Sequence, residues 1–122
     1  MNIVIGTRGF ISSGFRKLMN NKKETIFLNP NDIDSFDIDP NQSYKVMLLS
    51  FDRKWFMQKQ YNCENETKIL KKFGKGVFKL IYASTSKIYE NGISLNEKSL
   101  ISPQSIYAEN KLIAENFIRD NF

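Results

Sequence analysis

Histidine is absent from this chain of 122 residues, and cysteine occurs once, as Cys63. Without histidine, most zinc sites and the Ser-His and Cys-His catalytic pairs are excluded, so no metal site is expected. A single cysteine cannot form an intrachain disulfide. Acid/base chemistry near neutral pH therefore has to come from tyrosine, lysine or a carboxylate.

Long apolar runs are also missing. Gly6, Arg8 and Gly9 interrupt the N-terminal apolar run, unlike a secretory signal peptide, and no other stretch is long enough to span a bilayer. We therefore expect a cytoplasmic protein without a membrane partner. Hydrophobic residues make up 41% and charged residues 25%, a globular balance. The length predicts one domain spanning residues 1–122.

Positive charge exceeds negative charge, with 18 Lys and Arg against 13 Asp and Glu and a net charge of +5. The basic residues are scattered, and the densest cluster, between Lys71 and Lys79, is typical of a solvated face at the end of a helix. Because no concentrated basic face or base-reading motif is present, a nucleic-acid partner is the least favoured option. The net positive charge agrees equally well with an anionic nucleotide ligand.

Short apolar runs alternate with helical patterns along the chain. The strands are predicted at 1–5, 25–28, 44–50 and 77–83, and the helices at about 10–19, 53–73 and 105–121. Residues 31–43 predict an irregular loop or a weak edge strand. Strands separated by helices favour βαβ units and a parallel sheet. We therefore predict a three-layer α/β fold, Rossmann-like, with about four to five parallel strands flanked by helices.

A glycine turn follows the first predicted strand. Gly6 and Gly9 lie between that strand and a helix, where backbone N–H groups can approach a pyrophosphate. A G-x-x-G turn is common by itself, and its place after the first strand is what favours nucleotide binding. Ser12 stands at the third position of the motif, where glycine would allow the closest packing of helix on strand.

Two further segments carry groups suited to chemistry. Tyr107 and Lys111 are four residues apart in a predicted helix, so both point to the same side. An ammonium beside a tyrosine favours the phenolate, which is a usable base; the ordinary alternative is packing plus a solvated amine. Thr85 follows the strand 77–83, where its hydroxyl could bond a substrate oxygen or simply cap a turn.

Together these segments resemble the NAD-dependent epimerase/dehydratase family of the extended short-chain dehydrogenase/reductase superfamily. The resemblance rests on residues 2–13 (NIVIGTRGFISS), 80–89 (LIYASTSKIY) and 102–115 (SPQSIYAENKLIAE). The second and third blocks are the more specific ones. They place Pro-x-Ser-x-Tyr-x-x-x-Lys after a strand that ends in Ser and Thr, in the order and spacing of the family.

The resemblance implies a catalytic role for three residues. Tyr107 would be the acid/base that moves a proton to or from a sugar hydroxyl. Lys111 would hold the nicotinamide ribose and favour the phenolate of Tyr107, and Thr85 would bond the reacting hydroxyl or carbonyl. The hydride would pass between the sugar and NAD or NADP, so a nucleotide sugar is the expected substrate.

The resemblance also implies a set of cofactor contacts. The pyrophosphate would lie against Gly6, Gly9 and the N–H groups of Phe10 and Ile11. The other cofactor-binding positions are Arg8, Asn29, Ser50, Tyr107 and Lys111. Asn29 stands where an acidic residue would hold the adenosine ribose of NAD. The absence of an acid there, together with Arg8, slightly favours NADP over NAD as the cofactor.

Members of this family are considerably longer, so the chain is expected to lack the C-terminal substrate-binding portion. It would then be a fragment, or a reduced protein that completes itself as a homo-oligomer through the helices at 53–73 and 105–121. The alternative function is a truncated, non-catalytic remnant of the family that binds a dinucleotide or merely self-associates.

Overall fold

The computed structural model describes residues 1–6, 9–19, 24–74, 77–92 and 95–122. The strands are β1 (Asn2–Ile5), β2 (Thr25–Leu28), β3 (Tyr44–Leu48) and β4 (Val77–Tyr82). The helices are α1 (Phe10–Met19), α2 (Glu64–Phe73) and α3 (Ile106–Asn121). The chain divides into two compact units: the first holds residues 1–50, 64–83 and 122, and the second holds residues 51–63 and 84–121.

The first unit contains a parallel four-stranded sheet in the order β2-β1-β3-β4. The register places Ile5, the last residue of β1, opposite Leu28 of β2 and Leu48 of β3. From β1 the chain runs through α1 to β2 on one side, and it then crosses to β3 on the other side of β1. The strand order therefore reverses between β1 and β3, which is where open α/β sheets bind ligands.

Side chains alternate along each strand, so each face of the sheet presents its own set of side chains. A helix packs on each of the two faces. The face that includes Ile3 and Ile5 packs against α2 in a buried cluster. The cluster consists of Ile3, Ile5, Ile33, Tyr44, Val46, Leu48, Ile69 and Phe73. On α1, Phe15 packs against Phe27 of β2, with ring centroids 6.5 Å apart. The predicted three-layer, Rossmann-like architecture is confirmed.

The second unit is built around α3. Two short 3₁₀ turns, Arg53–Phe56 and Ser86–Ile88, contact this helix. An isolated antiparallel bridge joins Tyr89 and Ile101. Among the described residues, no helix is both long enough and apolar enough to cross a membrane.

The helix predicted over residues 53–73 is wrong in its first half. After the turn at Arg53–Phe56, the backbone is left-handed at Gln60 (φ 64°) and at Cys63 (φ 52°), and α2 begins only at Glu64. Left-handed residues cannot continue a right-handed helix. Among the aromatic residues of this stretch, Trp55 and Tyr61 are buried, whereas Phe56 is exposed.

The other predicted elements are confirmed to within two residues at each end. Residues 31–43 form a loop that begins with a short 3₁₀ turn, Pro30–Asp32, as one of the two alternatives proposed. Gly74 follows α2 with a left-handed φ of 50°, the conformation typical of a helix C-cap. Ser105 caps α3, because its Oγ accepts a hydrogen bond from the Ala108 N–H at 3.1 Å.

Candidate functional site

The glycine turn leaves β1 in a conformation that requires glycine. Gly6 has a φ of 121°, and a Cβ at this position would lie 2.8 Å from Ser12 Oγ and 3.2 Å from the Ser50 nitrogen. A side chain at Gly6 is therefore excluded both by the backbone conformation and by the lack of space. At Gly9 the surroundings are more open, since a Cβ would meet Ser12 Oγ at an ordinary 3.6 Å.

Helix α1 begins directly after this turn. Its first hydrogen bond runs from the Ser13 N–H to the Gly9 carbonyl at 2.8 Å, so the N–H groups of Phe10 and Ile11 precede the intrahelical bonding. Amides at a helix N-terminus can bind an anion such as a phosphate. The predicted contact from Arg8 lies outside the described residues and stays a prediction.

The ends of three strands meet at this edge of the sheet. The Gly6 N–H donates to the Leu28 carbonyl at 2.8 Å, which brings Gly6 beside the end of β2, where Asn29 follows. The Leu49 N–H donates to the Ile5 carbonyl at 3.0 Å, so Ser50 lies next to the same turn. The structure thus brings together the glycine turn and two of the predicted cofactor-binding positions.

A carboxylate at this edge of the sheet was not predicted from the sequence. Asp32 Oδ2 accepts a hydrogen bond from the Asn29 N–H at 3.2 Å, so an acidic group is held at the end of β2 although residue 29 itself is an asparagine. The signal was present in the sequence. Asp32 follows Asn29 by three residues with Pro30 between them, which is the spacing of a capping box at the start of a turn.

In the second unit, Tyr107 and Lys111 lie on the same side of α3, as their spacing predicts. The Tyr107 ring packs edge-on against Phe56 (centroids 4.6 Å apart) and Phe51 (5.7 Å). Lys111 Nζ lies 4.3 Å from the centroid of the Phe51 ring and 5.9 Å from that of Tyr107. Lys111 is only 5% exposed, so its charge is stabilised in part by the aromatic face beneath it.

Asn110, between these two residues in the sequence, is another group missed by the sequence analysis. Its side-chain amide donates to the carbonyls of Trp55 at 2.7 Å and Gln58 at 2.6 Å, and its Oδ1 accepts from the Tyr61 N–H at 3.2 Å. It is 1% exposed. A polar residue on the inward side of a helix was the available signal, because buried amides need partners.

Thr85 follows Tyr82, the last residue of β4, by three positions and directly precedes the turn Ser86–Ile88, which contacts α3. Its Oγ1 accepts a hydrogen bond from the Lys87 N–H at 3.2 Å, which caps the turn Ser86–Ile88. This is the ordinary structural role considered for it. A hydroxyl that accepts one bond can still donate its proton to another group, so the catalytic role stays a prediction.

Solved structures with the same fold include two 4-epimerases and RMD. UDP-N-acetylglucosamine 4-epimerase from Bacillus cereus has a TM-score of 0.68 and 19% identity, over 96% of this chain and 51% of that chain. RMD from Pseudomonas aeruginosa, complexed with NADPH, has a TM-score of 0.69 and 17% identity, over 95% and 46%. UDP-glucuronic acid 4-epimerase from Bacillus cereus, in complex with NAD, has a TM-score of 0.69 and 18% identity, over 99% and 52%.

This chain shares their fold. The resemblance to the NAD-dependent epimerase/dehydratase family that the three sequence blocks predict is confirmed at the level of the fold. The chain spans about half the length of these structures. No protein-family model matches the chain, and neither does any curated protein sequence.

Proposed function

We propose that this chain binds NAD or NADP and belongs to a protein of the epimerase, dehydratase or reductase type that acts on a nucleotide-linked sugar. The observation that carries the proposal is the turn at Gly6. It is left-handed, has no room for a side chain, and lies between the central strand and a helix N-terminus. Two of the solved structures that share this fold carry NAD or NADPH.

The residues of the first unit fit a dinucleotide. Gly6 and Gly9 let the backbone approach a pyrophosphate, and the N–H groups of Phe10 and Ile11 donate hydrogen bonds to it. Ser50 lies at the same edge of the sheet. When bound, the nicotinamide supplies the hydride exchange with the sugar carbon.

The residues of the second unit supply the proton transfer. Tyr107 takes or gives the proton of a sugar hydroxyl, and Thr85 donates a hydrogen bond to the reacting oxygen. The Lys111 ammonium, 5.9 Å from the centroid of the Tyr107 ring, offers positive charge to the phenolate that Tyr107 forms when it loses its proton. Lys111 would also hold the nicotinamide ribose, as the family resemblance implies.

Calorimetric titration with NADH and with NADPH tests the binding. We expect saturable binding of at least one of them, and about tenfold weaker binding in Gly9→Ala, because a methyl group there intrudes on the pyrophosphate and not on the protein. Gly14→Ala, where a Cβ would meet nothing within 4 Å, is the matched control. Absence of binding by any nicotinamide dinucleotide at millimolar concentration would refute the proposal.

The same titration decides between NAD and NADP. Asn29 and Arg8 lean toward NADP, whereas the carboxylate of Asp32 at the end of β2 would repel a 2′-phosphate. We expect Asp32→Asn to raise the affinity for NADPH relative to NADH, because it removes that negative charge. An unchanged ratio would show that Asp32 does not face the adenosine ribose.

A non-catalytic protein that binds a dinucleotide, or only self-associates, is the second candidate. The observation that favours it is the structural role of Thr85, whose hydroxyl oxygen already caps a turn. Turnover with nucleotide-linked sugars separates the two candidates. Where turnover is found, Tyr107→Phe should abolish it and leave cofactor affinity largely intact, and unchanged turnover would refute the role of Tyr107.

A further inference from the structure

We infer that Asn110 is a positioning residue: its buried side chain fastens the segment 51–61 to α3 and thereby fixes Tyr107 and Lys111 for the proton transfer. The role in proton transfer rests on the proposed function, whereas the attachment of the segment to α3 rests on the hydrogen-bond geometry alone. We call the three hydrogen bonds of the Asn110 side chain the Asn110 latch.

The Asn110 latch uses every hydrogen-bonding group that the side chain presents to the segment. Both amide hydrogens are donated to carbonyls, of Trp55 and Gln58, and Oδ1 accepts from the Tyr61 N–H. These partners are 49 to 55 residues away in sequence. A buried asparagine is costly unless it is bonded in this way, so its presence indicates a role that an apolar residue would not fill.

The latched segment includes a strained stretch at the surface. Residues 57–60 are exposed, and the backbone is left-handed at Gln60 and again at Cys63, a conformation that non-glycine residues hold only when their surroundings impose it. The Asn110 latch bonds the segment on both sides of Gln60, at Gln58 and at Tyr61.

The latched segment carries the rings that surround the acid/base pair. Phe51 and Phe56 both pack edge-on against Tyr107, and the face of Phe51 lies beneath the Lys111 ammonium. Because these rings contact both side chains, release of the segment would remove those contacts from Tyr107 and Lys111 while α3 itself stays helical.

Two spectroscopic and chemical readouts test the Asn110 latch in the ligand-free protein. Trp55 is the only tryptophan and is buried, so Asn110→Ala should shift its emission to the red and raise its quenching by acrylamide. Acetylation of Lys111 by an N-hydroxysuccinimide ester, followed by peptide mass spectrometry, should become about tenfold faster relative to the exposed Lys98.

Ala114→Gly provides the matched control. Ala114 is also buried on α3, and glycine there weakens the helix without removing a bond of the Asn110 latch. A similar rise of Lys111 reactivity in both variants would overturn the inference, because it would then reflect general loss of stability. Asn110→Asp keeps the shape but loses both donors, so it should resemble Asn110→Ala, and wild-type behaviour in it would also overturn the inference.

Hydrogen exchange in the wild-type protein covers the case in which these variants do not fold. The Tyr61 N–H donates to Oδ1 of Asn110 and should exchange about tenfold more slowly than the amides of the exposed residues Lys59 and Gln60. Equal exchange rates would mean that the latch is not closed in solution.

NADH titration of the same variants connects the Asn110 latch to function. Asn110→Ala should weaken binding severalfold more than Ala114→Gly, and equal affinities would limit Asn110 to a structural role. If wild-type protein binds no dinucleotide, the proposed function fails, while the Trp55 and Lys111 measurements still decide whether Asn110 positions the acid/base pair.

Discussion

Gly6, Gly9 and Gly14 lie close together in the sequence, yet their surroundings differ. Gly6 is left-handed and closed in by Ser12 and Ser50, Gly9 has space on the protein side, and Gly14 faces open space within α1. A methyl group should therefore damage the fold at Gly6, the proposed ligand contact at Gly9 and neither at Gly14. Glycine has a different physical purpose at each position.

Alanine substitution should change stability in opposite directions at two of these positions. Gly6→Ala should lower the free energy of unfolding by about 1–3 kcal/mol, because it strains the backbone and crowds Ser12. Gly14→Ala should raise it by about 0.5–1 kcal/mol, since alanine is the better helix former. Urea denaturation followed by circular dichroism measures both, and a Gly6→Ala variant of wild-type stability would contradict the geometry of the turn.

At the scale of single elements, the strands and two of the helices could be predicted from short apolar runs and helical spacing. The stretch 53–63 could not. Its apolar spacing imitates a helix, but the left-handed residues Gln60 and Cys63 and the bonds to Asn110 impose a different backbone. These bonds come from a residue about fifty positions away, and local pattern carries no information about them.

In the candidate site, too, the features that follow from local spacing could be predicted. Helical spacing places Tyr107 and Lys111 on one side of α3, and the strand order brings Gly6 beside Ser50. The carboxylate of Asp32 was missed although its three-residue spacing from Asn29 is a local signal that the sequence contains. Tertiary contacts that join distant segments were the part that sequence patterns could not supply.

The N-terminus of α3 offers a test at the element scale. Ser105→Ala should lower the free energy of unfolding by about 1 kcal/mol, because it removes the bond from the Ala108 N–H to Ser105 Oγ. Ser105→Asp should keep most of the stability, since aspartate also caps and its charge suits a helix N-terminus. Thermal denaturation compares them, and equal loss in both variants would show that capping is not the stabilising interaction.

At the scale of the whole molecule, self-association through residues 53–73 and 105–121 stays a prediction, as does the cytoplasmic location. Several apolar side chains are exposed on the surface. On α3, Ile113 is 38% exposed, and on α1, Leu18 is 81% exposed. Of these two residues, Ile113 belongs to a region predicted to form the interface and Leu18 does not.

A pair of lysine substitutions tests this prediction. Wild-type protein should sediment as a dimer or larger species at high concentration, and Ile113→Lys should shift it toward the monomer, because burying an unpaired charge in an interface is unfavourable. Leu18→Lys, a larger exposed apolar site on α1, should leave the mass unchanged. A monomer at every concentration would rule out the predicted homo-oligomer.

The central place of β1 has a consequence for synthesis on the ribosome. Ile3, Val4 and Ile5 are almost completely buried in the finished sheet, and their partner β3 lies about forty residues later in the chain. This strand is therefore synthesised before β3 and remains without its second neighbour until residue 48 has emerged. The apolar side chains of β1 thus lack part of their final surroundings during that interval, and chaperones would have to shield them until β3 is available.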